Sequence, residues 1–159
     1  MLAGIHFFSA SALSISLTSS PYLAFLIGFL SHHFLDKLPH LDLNIFNSDK
    51  YGNVKNWDKK VWLLFFSEFL IFFLLTFYFL GKFDLSKQII GFIGGLGGLF
   101  PDIVSFSLRS FFPKIKIFDF YLNFHKKFHF RLNKGKIFLP ILFEILIIIF
   151  SIILFLGNY

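Results

Sequence analysis

The sequence predicts an all-α fold: a multi-pass transmembrane helical bundle that opens with a short N-terminal helical hairpin and carries a basic amphipathic interfacial helix. Three observations predict it. Val61 to Leu80 and Ile137 to Leu156 are apolar stretches of about the 20 residues a helix needs to cross the hydrocarbon layer. Of the 159 residues 56% are apolar, and the mean hydropathy of +0.73 lies above that of ordinary soluble domains. The net charge of +6 sits in Lys and Arg residues that flank the apolar spans, not in a separate basic domain. That placement argues for membrane topology and against a nucleic-acid partner. The chain reads as one membrane-embedded domain, residues 1–159, whose partner is the lipid bilayer.

The elements follow in order. Ala3 to Leu17 and Pro21 to Leu38 read as two helices joined by Thr18-Ser19-Ser20, with Pro21 suited to a first helical position. The apolar N-terminal run has no basic residue ahead of it, so a cleaved signal peptide is not expected. Pro39 to Lys60 is rich in Asn, Ser, Asp and Gly and reads as a loop before the first long span. Beyond that span, Gly81 to Lys87 is a short connection. Gln88 to Phe100 is a Gly-rich helix in which Gly91 with Gly95, and Gly94 with Gly98, have the spacing that lets helices approach closely in a membrane. A stretch from Asp102 to Phe112 follows, and Lys114 to Lys136 is a basic amphipathic segment leading into the last span. The hairpin helices and the Gly-rich helix are short for spans and are expected to tilt or to be partly re-entrant.

Lys and Arg crowd the regions Lys37 to Lys60 and Arg109 to Lys136, whereas the Gly81 to Lys87 connection holds Lys82 and Lys87. The positive-inside rule places the two rich regions in the cytoplasm, within the cell (inner) membrane. That threading, made from charge and length, gathers His6, His32, Asp36, His40, Asp42, Asp102, His125 and His129 on the cytoplasmic side. Cysteine is absent, so a metal at this face is held by imidazole and carboxylate, as zinc or another divalent transition metal accepts. The 28 Phe residues, with abundant Lys, Ile and Asn, reflect mainly the codon bias of an AT-rich genome.

His32 and Asp36 are four apart and share a helical face, with His33 about a quarter turn away. Pro39-His40-Leu41-Asp42 repeats those residue types just beyond the helix. His125 and His129 have the i, i+4 spacing of paired imidazoles, and both sit in the apolar stripe of their segment, where a buried imidazole needs a partner such as a metal or Asp102. Against these stand plainer readings: polar caps at a helix end for His32 and Asp36, and headgroup-depth histidines for His125 and His129. Glu68 and Glu144 lie seven residues inside the two long spans and are expected to face the protein interior, as orienting groups, proton acceptors or hydrogen-bonded acids.

At His6, Ser31-His32 with Asp36, Pro101-Asp102, and His125 with His129, the chain resembles the family of small membrane-bound, predicted metal-dependent hydrolases of the YdjM type, which is grouped with zinc-dependent phospholipase C and P1-type nuclease. In that family the Ser-His helix follows the paired histidines; here it precedes them, and Val104 stands where the family has a second acid, a place Asp42 is expected to fill. The resemblance implies a zinc centre made from His6, His32, Asp36, His40, Asp102, His125 and His129. It also implies metal-assisted hydrolysis of a phosphodiester or phospholipid, with Asp42 or Glu144 accepting the proton of a metal-bound water and Lys126, Lys127 and Arg131 holding phosphate. Two rival readings are a non-catalytic membrane protein clamped by a structural metal or a His/Asp cluster, and a small ion-handling transporter built on Glu68 and Glu144.

Overall fold

The structure, a computed structural model, describes residues 2–41, 57–111, 117–128 and 137–159. Asp42, His129 and Arg131 lie outside the described residues, as does most of the polar loop that follows Leu41. Among the described residues the fold is all-helical: α1 (Ala3–Leu17), α2 (Pro21–Leu35), α3 (Lys59–Leu80), α4 (Leu85–Phe111), α5 (Ile117–Phe128) and α6 (Phe138–Leu156).

Local chemistry sets the helix ends. Pro21 opens α2 at its first turn, where a missing N–H costs nothing. Asp58 caps α3 by accepting the Val61 N–H at 3.0 Å. The short α2 ends at Leu35 with Asp36 as its cap, three residues earlier than the sequence pattern suggests. The Gly-rich segment differs more. It does not stop near Phe100 but runs on as one 27-residue helix with Pro101 inside it. Apolar packing on both sides overrides the helix-breaking tendency of Gly and Pro, as membrane-type helices allow. The result is that α3, α4 and α6 are each long and apolar enough to cross a membrane by length and composition.

The centre of the fold is α1. It packs against α2, α3, α4 and α6, and its residues from Gly4 to Ala12 are all buried. Its serines add no unsatisfied polarity: Ser9, Ser11 and Ser16 donate to the carbonyls of Ile5, Phe7 and Ala12, and Ser14 reaches across to Ala24. Glycines bring the neighbours close. A Cβ on Gly28 of α2 would fall on the Gly94 carbonyl, and one on Gly94 would fall on the Ser14 side chain. Around this contact Phe8, Phe79 and Phe155 join α1, α3 and α6, with Phe79 and Phe155 stacked at 5.0 Å.

Aromatic side chains mark both ends of α3. Trp57 and Trp62 meet edge to face at 4.8 Å at its start, and Lys82 lies 4.5 Å from the Tyr78 ring at its end. Such belts are typical of helices that reach from one bilayer interface to the other.

Candidate metal centre

The site is built where the first turn of α1, the last turn of α2, the middle of α4 and the face of α5 converge. Gly4 lets α1 sit directly against α3, since a Cβ there would lie 2.7 Å from Glu68 Oε1 and 2.9 Å from the Phe72 Cβ. Glu68 uses this proximity. Its carboxylate accepts the N–H groups of Gly4 at 3.2 Å and Ile5 at 3.1 Å, satisfying two of the orphan donors at the start of α1. A carboxylate inside a long apolar span is thereby explained: it anchors the turn that carries His6.

His6 Nε2 lies 3.0 Å from Asp36 Oδ1, and His32 Nε2 lies 3.1 Å from Asp36 Oδ2. The two imidazoles stack at 4.0 Å. His32 Nδ1 donates to the Gly98 carbonyl at 2.8 Å, which fixes the ring and commits Nε2 to the centre. Pro101 has no N–H to give to the carbonyl of Gly97, four residues back and next to the Gly98 carbonyl that His32 uses. The ring of His32 also stacks on His125 at 5.4 Å, and His33 meets His125 at 5.8 Å. Asp102 Oδ1 completes the cluster, 3.7 Å from His32 Nε2 and 3.6 Å from His125 Nε2.

Burial is nearly complete. His6, His32 and Asp36 have essentially no solvent contact and His125 has 2%, whereas the Asp102 side chain keeps 32% of its surface exposed.

Two groups of side chains could hold a metal ion, with their ligand atoms mutually within 4.8 Å: His6, His32 and Asp36, and His32, His33 and His125. The donors fit that role. A metal with bonds of about 2.0–2.1 Å sets tetrahedral ligand atoms about 3.3 Å apart, close to the 3.0 and 3.1 Å found around Asp36. His32 belongs to both groups, and its single inward nitrogen makes it the hinge of either arrangement.

The structure therefore brings together His6, His32, Asp36, Asp102 and His125. It adds His33, which the sequence reading set aside as a quarter turn off the His32 face. The signal was the His32-His33 tandem: α5 packs over that flank of α2, placing Phe124 5.6 Å from the His33 ring. His40 stands outside both groups. It is buried, its Nδ1 donates to the Leu38 carbonyl at 2.8 Å, and the next residue, Leu41, donates its N–H to Glu144 Oε1 at 2.9 Å. Glu144 thus secures the segment after α2, as Glu68 secures the start of α1. His129 and Asp42 lie outside the described residues, so the centre rests on the others.

An apolar cleft of about 570 Å³ runs between α1, α2 and α6, lined by residues such as Leu13, Ile27, Leu30, Phe34 and Phe150. It lies on the face of α2 turned away from His32 and Asp36 and has no titratable side chain in its wall.

No protein family, curated protein or solved structure matches the chain.

Proposed function

We propose that the protein is a multi-pass membrane hydrolase of the YdjM type that its motifs resemble, using zinc or another divalent transition metal at the cytoplasmic edge of the cell membrane. The observation that carries this reading is the convergence of side chains from four helices in two groups that share the buried His32, one of His6, His32 and Asp36 and one of His32, His33 and His125, with Asp102 beside His32 and His125. The carboxylates of Asp36 and Asp102 lie among the imidazoles of that cluster, a mixed donor set of the kind divalent transition metals accept. Its reactive side is Asp102, the partly exposed acid of the cluster.

A divalent ion bound there would lower the pKa of a bound water toward about 7. The chain's own groups do the rest. His6, His32 and Asp36 would hold the ion; the Gly98 carbonyl fixes the His32 tautomer that turns Nε2 inward; Asp102, beside His125, would accept a proton at the partly exposed side of the cluster. Glu68 and Glu144 fix the backbone that carries the ligands.

The substrate is a phospholipid or another phosphodiester presented at the membrane. The lysines of the α5 region suit its phosphate. The complete burial of His6, His32 and Asp36 favours a second reading, a structural metal that ties the helix ends together, since closed sites are the structural kind.

The test is elemental analysis of the purified protein together with hydrolysis of a phosphodiester lipid. One equivalent of zinc and activity are expected, both lost in His32→Ala. Zinc without activity assigns the centre to the structural reading; absence of any transition metal removes both.

A further inference from the structure

Helix α5 gives His125 to the centre, yet it rests on α4 and α2 far more lightly than α1 and α2 rest on α4. Its inner face is Tyr121, Leu122 and His125. Tyr121 Oη donates to the Pro101 carbonyl at 3.2 Å, and its ring stacks on His125 at 6.3 Å. The outer face is a stripe of Asp119, Phe120, Asn123 and Lys127, with Phe124 at its edge against the His33 ring. Phe120 is 81% exposed, an unfavourable position in water but an ordinary one for an aromatic ring set into the headgroup region. From residue 114 to 136 the sequence is rich in Lys and Arg, with Asp119 its lone acid. An apolar ring on an outward stripe within a cationic segment matches one surface, an anionic lipid leaflet, by both burial and charge.

We propose that α5 docks on anionic lipid and that this docking seats His125 beside His32, His33 and Asp102, so that anionic lipid and metal bind cooperatively. The inference rests on the metal centre proposed above. Because coupling between two binding events is reciprocal, each ligand tightens the other's binding by the same factor.

Full-length protein in vesicles of phosphatidylcholine, or of phosphatidylcholine mixed with phosphatidylglycerol, tests it by zinc titration. The expected result is an affinity about tenfold tighter in the anionic vesicles. Phe120→Glu removes that gain; it sees the same surface concentration of zinc, so the comparison excludes simple accumulation of the ion. Equal affinities for the parent protein in both vesicles overturn the coupling and leave the centre standing, whereas no zinc in either removes the centre itself. Hydrogen exchange judges docking independently of metal: without zinc, the α5 amides exchange more slowly on anionic vesicles, and equal exchange overturns the docking.

Discussion

Helices α1 and α6 invert the pattern of a water-soluble protein. α6 has the highest mean hydropathy of the three long helices, 2.9, but only 28% of its apolar stretch is buried inside the protein. α1 has 15 residues, four of them serine and one histidine, and is buried from Gly4 to Ala12. In water the greasiest helix goes to the centre because apolar burial drives folding. In a bilayer, lipid tails are as apolar as leucine, so close packing of small residues and internal hydrogen bonds decide which helix is central. α4 obeys the same rule, with 50% of its apolar stretch buried and the lowest hydropathy of the three, 1.7.

The strongest way to break this contrast is Gly94→Leu, which drives a side chain into Ser14 and Ala10 of α1. The expected loss is about 3 kcal/mol, measured by unfolding in detergent; an unchanged stability would show that α1 and α4 are not closely packed. Removing Glu68 as Glu68→Ala leaves the Gly4 and Ile5 N–H groups without their acceptor and is expected to cost about 1.5–3 kcal/mol, seen in the same unfolding assay. On the metal reading proposed above, zinc binding should weaken as well, because His6 rides on that turn. The smallest effect belongs to the outer helix. Ile149→Ala on the exposed face of α6 should stay within about 0.5 kcal/mol of the parent, and a larger loss would mean that this face is covered by protein.

The α1 bounds, the α2 start and both long spans were legible because periodicity, a turn of Thr and Ser, and proline at a first helical position are local signals. The continuity of α4 through Pro101 was not, since a local rule says that proline ends a helix and only the neighbours that sheathe α4 reverse it. The histidine cluster was half legible. His32 with Asp36 follows from i, i+4 spacing, and His6 from its place at the same end of the bundle. The part played by His33 needed the approach of α5, and the role of Glu68 as an anchor for α1 needed the α1–α3 contact that Gly4 allows.

What the sequence determined alone is where the long apolar spans and the start of the hairpin lie, and that imidazoles and carboxylates, not thiolates, gather at one end of them. Those properties are written in single residues and short spacings. Which helix lies at the centre, which nitrogen of His32 faces Asp36, and that Asp102 is the exposed acid were decided only by tertiary structure. Each depends on atoms from segments tens of residues apart, brought within 3 to 4 Å when the glycine faces close on α1.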